Sequence, residues 1–278
     1  MWRCGLAGAV MAGLELVTSS AARADDQPFL HAYTTDIQTA KGLEFEQWLS
    51  LATGHTGEAF AGFESRSELE YGVTDNLQGA LTLNYEWERA HPRPLPTPVE
   101  TASLASISGE AIWRVMNPYF DPFGLAFYAE PTFGSGVRGF EVKILAQKNL
   151  FNDRLRNVLN INFENVWEKG AGMWEKSSAI EFNFGSAYNV TPDFSVGLEF
   201  DNERGYDGLL LGSAAPSSNS FYLGPLLQLI GHPWTVTAGV QTQMPWATNP
   251  GHLPGTVVGG KTADAEHFRA TIKISRDL

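Results

Sequence analysis

The sequence predicts an all-β fold, and specifically a transmembrane antiparallel up-and-down β-barrel of about 12 strands. Three observations predict it: apolar and polar residues alternate over long runs, the runs are even in number, and every second connection is short while the long ones all fall among the others. A membrane-spanning strand needs about 9 to 11 tilted residues, whereas strands of globular proteins are typically about five or six residues long. Short periplasmic turns and longer extracellular loops are typical of outer-membrane barrels.

Residues 1–24 carry the pattern of a cleaved secretory signal peptide. A basic start at Arg3 precedes an apolar stretch over residues 5–14, and Ala22-Arg23-Ala24 supplies a small-residue cleavage site. An ordinary N-terminal helix is the alternative. The only cysteine of the chain, Cys4, lies in this segment, so we expect the mature protein to contain no disulfide.

Residues 25–42 precede the first alternating run and show no clear period of their own. A flexible periplasmic tail is the favoured prediction for this segment, because chain termini are poorly ordered unless other residues hold them. A short helix and a plug that enters the barrel are the alternatives. The barrel itself is predicted over residues 43–278.

Alternation defines each strand of the barrel in chain order. From Leu77 to Arg89, leucine, tyrosine and tryptophan fall on one face, and glutamine, threonine, asparagine and glutamate fall on the other. Successive side chains of a strand point to opposite faces, so this pattern indicates one apolar and one polar face. The same reasoning predicts strands at 43–53, 58–71, 77–89, 103–116, 124–131, 140–148, 154–168, 174–188, 194–201, 220–230, 234–244 and 264–278.

The connections between these runs fall into two classes. Residues 72–76 form one of the short connections, and the long ones are 90–102, 202–219 and 245–263. Because the two classes alternate along the chain, we expect the short turns and both termini on the periplasmic side. Pro225 falls inside the tenth run and predicts a bulge or a break, since proline cannot donate to a strand ladder.

Three stretches carry a family resemblance. They are Tyr33-Thr-Thr-Asp36 with Gly42-Leu-Glu-Phe-Glu-Gln-Trp48, Glu68-Leu-Glu-Tyr-Gly-Val-Thr-Asp-Asn-Leu-Gln-Gly79, and Asp121-Pro-Phe-Gly-Leu-Ala-Phe-Tyr-Ala-Glu130. They resemble an uncharacterised family of bacterial outer-membrane β-barrels, which are described as transporters and are similar to the barrels of phenol-degradation gene clusters. The resemblance covers most of the chain after residue 24 and implies a barrel in the outer membrane. Its motifs are turn and strand motifs, which do not identify a cargo.

Strand parity divides the side chains between lumen and lipid. A lipid-facing Arg or Lys costs about 2 to 4 kcal/mol at mid-membrane, so the charged residues of the strands are assigned to the lumen. The predicted lumen-lining residues are Glu64, Arg66, Glu68, Glu70, Glu86, Glu110, Arg114, Glu130, Glu141, Lys143, Arg156, Glu164, Glu181, Glu199, Arg269 and Lys273. The predicted lipid-facing or interface residues are Tyr71, Leu81, Leu83, Tyr85, Trp87, Trp113, Phe163, Phe182, Phe184, Tyr188, Phe268, Ile272 and Ile274.

The stretch from Glu64 to Glu70 is the first candidate site. It places four charged side chains in succession on the inward face, and three of them are carboxylates. Like charges packed so closely require counter-charges from neighbouring strands, or a cation. A salt-bridge network that only fills the barrel is the alternative interpretation of the inward charges.

The acidic excess of the lumen predicts a channel or transporter that passes small solutes and prefers cations. A closed structural barrel that acts as a surface interaction protein is the second hypothesis. An outer-membrane enzyme is the third, and a soluble secreted sandwich is the fourth. We predict no enzyme, because the sequence has no G-x-S-x-G motif and its six histidines show no metal-ligand spacing. No catalytic residue, metal site or cofactor is predicted.

Composition narrows the partners. The net charge of −12 argues against nucleic acid, whose phosphates attract basic surfaces. No apolar run approaches the roughly 18 residues of a transmembrane helix. The expected partners are outer-membrane lipid, the barrel-assembly machinery during insertion, and a small solute of unknown identity. The expected location is the bacterial cell outer membrane.

Overall fold

The computed structural model describes residues 27–56, 58–91, 99–170, 172–213, 215–247, 257–263 and 265–278. The predicted signal peptide at residues 1–24 lies outside the described residues. In the described part of the chain, no helix is long and apolar enough to cross a bilayer.

The described residues form a closed barrel and one short hairpin. The strands are β1 (Leu43–His55), β2 (Glu58–Thr74), β3 (Leu77–His91), β4 (Val99–Met116), β5 (Gly124–Phe133), β6 (Val137–Leu150), β7 (Leu155–Gly170), β8 (Met173–Thr191), β9 (Phe194–Asp207), β10 (Ser218–Ile230), β11 (Trp234–Gln243), β12 (Val257–Val258), β13 (Lys261–Thr262) and β14 (Phe268–Asp277). Strands β1 to β11 and β14 form the barrel, in which chain neighbours pair antiparallel and β14 closes against β1. Strands β12 and β13 pair only with each other. The predicted 12-stranded antiparallel barrel is confirmed.

Some strand boundaries differ from the predicted ones. β9 was expected to end at residue 201 and continues to Asp207, whereas the last strand begins at Phe268 rather than at residue 264. The extension of β9 arises because its ladder persists where its apolar pattern stops. Arg204 stays in register with Ile180 and Asn219, although it interrupts the apolar face.

β10 runs through Pro225 without a break. Pro225 pairs in register with Leu198 of β9, so that ladder is complete. On the other side, the β10–β11 ladder lacks pairs at residues 224 and 225 and resumes at Leu226 in the same register. The predicted bulge or break is therefore wrong: the proline interrupts one ladder without a shift of register and leaves the strand continuous.

The connections give the barrel two different ends. The inner end carries the short turns at 75–76, 117–123, 151–154, 192–193 and 231–233. Both β1 and β14 also reach this end, where the amide of Leu278 donates to the carbonyl of Leu43 at 2.9 Å. The outer end carries the longest connections, which include residues 208–217 and the segment between β11 and β14, together with short ones such as 134–136.

The two faces of the wall have opposite polarity. Large apolar side chains lie outside, where Leu81 is 57% and Trp113 is 56% exposed. Charged side chains lie inside and are buried, for example Glu68 and Asp201. This distribution is the reverse of a globular protein and is that of a barrel surrounded by lipid.

Candidate functional site in the barrel lumen

Residues 27–38 lie inside the inner half of the barrel, and we call them the plug. Phe29, Thr34 and Ile37 are each at most 1% exposed. The favoured prediction of a flexible tail does not describe these residues. Inward side chains from strands around the wall bind the plug backbone, although the plug itself forms no strand.

Glu199 of β9 is the strongest of these contacts. Its Oε1 accepts three hydrogen bonds, from the backbone N–H groups of Leu30, His31 and Ala32, at 3.0, 2.9 and 2.9 Å. A hydrogen bond to a charged group contributes about 1.5 to 3 kcal/mol, and more is lost when a buried partner is left unsatisfied. One buried carboxylate therefore fixes three consecutive plug residues.

Three side-chain amides continue the contact around the wall. Asn160 of β7 bonds both backbone groups of Tyr33, and its Nδ2 donates to the Tyr33 carbonyl at 2.9 Å. Gln147 of β6 accepts from the Thr35 amide at 2.7 Å. Gln78 of β3 accepts from the Gln38 amide, also at 2.7 Å. These amides satisfy the plug backbone in place of a neighbouring strand.

Apolar contacts fill the space between these bonds. One buried cluster joins plug residues to the wall of β7, β8 and β10, and consists of Phe29, Leu30, Ala32, Val158, Ala187 and Leu226. A second joins the plug to β4, β5 and β6, and consists of Tyr33, Ile37, Ile112, Ala126, Tyr128 and Leu145. Gly185 makes room for the plug, since a Cβ there would lie 2.5 Å from the Phe29 ring. The inner half of the lumen is therefore packed.

Arg66 of β2 lies at the centre of the lumen. Its Nε is 2.6 Å from Glu68 Oε2, and its Nη2 is 3.3 Å from Glu110 Oε2 and 3.9 Å from Glu130 Oε2. The counter-charge expected for the stretch Glu64 to Glu70 thus comes from within that stretch, and it also bridges β2 to β4 and β5.

A group of three carboxylates next to Arg66 has the geometry of a cation site. Glu68, Glu70 and Glu110 each place one oxygen within 4.8 Å of the others. Carboxylate oxygens are the ligands that Ca²⁺ and Mg²⁺ prefer. Because Arg66 already forms ion pairs with Glu68 and Glu110, positive charge is supplied to this group by the protein itself.

The outer half of the lumen places carboxylates directly opposite one another. Glu64 pairs with Glu86 across β2 and β3, Glu141 pairs with Glu164 across β6 and β7, and Glu181 pairs with Glu203 across β8 and β9. Like charges at opposed positions destabilise a sheet. Lys143 forms an ion pair with Glu141, and Arg269 with Glu203. Within the described residues, the remaining four carboxylates form no ion pair.

A cavity of about 390 Å³ lies on the outer side of the plug, and three of these carboxylates, Glu64, Glu181 and Glu203, line it. Its floor is the plug, and its wall combines acidic, basic, amide and aromatic groups. The lining residues are Leu30, His31, Tyr33, Trp48, Ser50, Glu64, Arg66, Lys143, Asn162, Glu181, Asn183 and Glu203. The cavity can hold water or a small polar solute, and carboxylates with no protein counter-ion favour a positively charged one.

The residues predicted to line the lumen occupy inward positions of the register and fall into three groups. Arg156 and Glu199 contact the plug, Arg66 and its partners lie at the centre, and the opposed carboxylates with Lys143 and Arg269 lie in the outer half, where several of them line the cavity. Two residues are separate from all three groups: Arg114 Nη2 donates to the Asp75 carbonyl at the inner end, and Lys273 forms an ion pair with Glu46 of β1. The apolar residues assigned to lipid occupy the alternate, outward positions.

Sequence reasoning missed several functional residues. Glu44 and Glu46 are inward on β1, and Glu46 lies 3.1 Å from the Lys273 ammonium. Parity within the predicted strand 43–53 could have identified both. The uncharged residues that bind the plug, such as Asn160 and Gln147, were not singled out, because the assignment considered charges alone.

Comparison with solved structures places the barrel among outer-membrane channels in fold. The COG4313 outer membrane channel from Pseudomonas putida F1 is 10% identical, with a TM-score of 0.66 over 90% of this chain and 100% of that one. The NanC porin is 10% identical, with a TM-score of 0.53 over 85% and 100% of the two chains. The translocator domain of the autotransporter NalP from Neisseria meningitidis is 12% identical, with a TM-score of 0.54 over 85% and 88%. At these identities the likeness shows the fold alone.

Sequence comparison identifies the family. No curated protein matches this chain at a significant level. The family of unknown function DUF6662 matches residues 21–271, which include the plug and nearly all of the barrel. The chain therefore belongs to DUF6662, a family of unknown function.

Proposed function

We propose that this protein is an outer-membrane channel that passes small, positively charged polar solutes and is closed at rest by its plug. One observation carries the proposal: carboxylates without protein counter-ions line a cavity that ends on a segment held only by non-covalent contacts. The location in the bacterial outer membrane, the surrounding lipid and insertion by the barrel-assembly machinery are parts of the same proposal.

The electrostatics of the outer half support cation preference. Clefts lined by one sign of charge and bounded by a low-dielectric wall concentrate counter-ions. Glu64, Glu86, Glu164 and Glu181 supply such charge, and the basic groups Lys143 and Arg269 are already paired with other carboxylates. An anion would have to pass these carboxylates before it reached Arg66.

The kind of contact that holds the plug supports its release from the barrel, which would open the lumen. Seven backbone groups of the plug, in residues 30–33, 35 and 38, bond to side chains of the wall, and water can replace such a bond at modest net cost. The plug ends just before β1, where the amide of Lys41 donates to the carbonyl of Gly72 on β2 and the amide of Gly72 donates to the carbonyl of Gly42. Release of residues 27–38 would leave this anchor in place. The alternative function is a permanently filled barrel with a role in surface interaction.

Solute flux into proteoliposomes tests the proposal. The refolded mature chain, which begins after the predicted signal peptide, is compared with the same chain lacking residues 27–38. The solute panel contains tetramethylammonium, a neutral pentose, acetate and phenol. We expect the barrel that lacks residues 27–38 to pass tetramethylammonium faster than acetate. Equal rates for these two ions would contradict cation preference. Flux of phenol above that of protein-free liposomes, without flux of tetramethylammonium, would contradict a charged solute.

A further inference from the structure

The outer end of β5 to β8 carries an unusual row of side chains on the lipid-facing side of the wall. Phe133, Arg138, Trp167 and Lys176 are directly opposite one another on four successive strands. Lys169 and Trp174 form the adjacent pair, two positions nearer the outer rim. Paired residues of neighbouring strands share a face, so all six side chains lie on one surface.

This surface is positively charged, whereas the chain as a whole is negatively charged. Three cationic side chains meet here in a protein whose net charge is −12. Arg138, Lys169 and Lys176 are exposed and form no ion pair with any described residue. The nearest carboxylates along the chain, Glu168 and Glu175, alternate with these residues and therefore point to the other face.

The height of the surface matches a lipid headgroup. Twelve residues of β8 separate Lys176 from Tyr188, which lies at the inner end. A strand tilted by about 40° advances roughly 2.5 Å per residue along the membrane normal, so the separation is about 30 Å. The apolar band of such barrels is about 25 Å tall. Lys176 therefore lies just outside the hydrocarbon, at the level of the outer-leaflet headgroups.

The shape of the surface provides both a polar and an apolar contact. Phe133, Arg138, Trp167 and Trp174 line a cavity of about 450 Å³ that opens to the lipid side. The guanidinium carbon of Arg138 lies 5.2 Å from the centre of the Trp174 ring. Stacking on tryptophan orients a guanidinium while leaving its N–H groups free to bind an oxyanion. Tryptophans at this level pack against the junction of sugar or glycerol groups and acyl chains.

We propose that this surface binds a phosphate-bearing lipid of the outer leaflet, with Arg138, Lys169 and Lys176 on the phosphate and the aromatic cavity on the adjoining apolar part. The inference goes beyond solute passage and rests only on the barrel being in the outer membrane. Guanidinium and ammonium groups are the usual phosphate ligands of proteins, and clusters of them beside a membrane bind anionic lipids.

The inner end offers a matched control. Arg154 lies 5.0 Å from the centre of the Tyr188 ring, in a similar arrangement of arginine over an aromatic ring. Its guanidinium already donates to the carbonyls of Asn189 and Val190. A variant at Arg154 therefore removes an arginine from an aromatic ring on the lipid-facing side without removing a phosphate ligand.

Binding of lipid A to the refolded barrel in detergent, measured by native mass spectrometry, tests the proposal. We expect bisphosphorylated lipid A to bind the unchanged chain and R154Q alike. The triple variant R138Q/K169Q/K176Q should bind it at least about tenfold more weakly. Dephosphorylated lipid A should show the same loss with the unchanged chain. All three positions are exposed, and retention of the heat-resistant folded band on electrophoresis verifies that the variant is folded.

Three results would overturn the proposal. The first is equal binding of lipid A by the triple variant and R154Q. The second is equal binding of the phosphorylated and dephosphorylated lipids. The third is displacement of the lipid by inorganic phosphate at equal concentration, which would mean that the surface binds the free anion. A change of oligomeric state in the triple variant, without loss of lipid, would assign the surface to a second copy of the chain.

Discussion

The two halves of the lumen use the same kind of residue in different ways. In the inner half, inward carboxylates and amides bind a segment of the chain, so Glu199 is 2% exposed and fully engaged. In the outer half, inward carboxylates face one another across the ladder and border a cavity. The wall is alike in both halves. The presence or absence of the plug decides whether its polar groups serve packing or face solvent.

This difference teaches that inward polarity alone does not identify a conducting lumen. A buried polar group is tolerated when it is hydrogen-bonded, and the plug supplies the donors in the inner half. The outer carboxylates have fewer partners in the protein, so their charge is available to solutes. Four perturbations separate the two roles, beginning with the largest expected effect.

Removal of the Arg66 charge should have the largest effect, because Arg66 joins three carboxylates at the boundary between the halves. Breaking a buried ion pair by removing one partner costs about 3 to 5 kcal/mol. R66M should lower the urea midpoint of unfolding in liposomes accordingly. The matched control is R89M, whose partner Glu100 is exposed at the outer end. Such surface pairs contribute about 1 kcal/mol or less. An equal shift for both variants would contradict the assigned role of Arg66.

Removal of the Glu199 charge should release the plug. E199Q keeps the shape of the side chain but replaces three charge-assisted bonds by neutral ones, a loss of about 1.5 to 3 kcal/mol. Each 1.4 kcal/mol is a factor of about ten in the ratio of open to closed channels. Single-channel recordings should show that increase in open probability. D201N is the control, since Asp201 is inward on the same strand and bonds Asn183 and Gln241 rather than the plug. The account fails here if D201N opens the channel as often as E199Q does.

A methyl group added at Gly185 should also loosen the plug, by crowding it rather than by removing a hydrogen bond. A Cβ there would lie 2.5 Å from the Phe29 ring and 3.0 Å from Val158, so the ring must move. Overpacking of this kind costs about 1 to 3 kcal/mol. G185A should speed hydrogen exchange at the amides of residues 29–33. G109A should not, because a Cβ at Gly109 meets nothing within 4 Å. An unchanged exchange rate at these amides in G185A would contradict the packing of Phe29 against Gly185.

Neutralisation of two outer carboxylates should have the smallest effect. At roughly 10 Å in water a unit charge contributes about 0.4 kcal/mol, with opposite sign for cations and anions, and salt screens part of it. In a barrel without the plug, E164Q/E181Q should therefore lower the cation-to-anion permeability ratio by about threefold, measured from reversal potentials in a KCl gradient. D153N/D193N removes two charges from the inner turns as a control. If only the control variant lowered the cation-to-anion permeability ratio, the charges that determine selectivity would lie at the inner end.

The strands could be predicted from sequence because alternation is a local signal. Leu77–His91 and Leu155–Gly170 read directly as one apolar and one polar face. The plug could not be predicted in the same way, since its partners are distant: Leu30 and Glu199 are separated by 169 positions. The sequence of one strand also does not show which residue of the next strand lies opposite, so the pairing of Glu181 with Glu203 could not be predicted.

The most direct test of the whole account is the single-channel conductance of the barrel with and without residues 27–38. The account predicts that the complete chain is closed for most of the recording. Without these residues the barrel should conduct steadily, with a reversal potential that shows cation preference. Steady conductance by the complete chain would contradict closure by the plug. No conductance by a folded, truncated barrel would show that the lumen is filled by its own side chains and is not a channel.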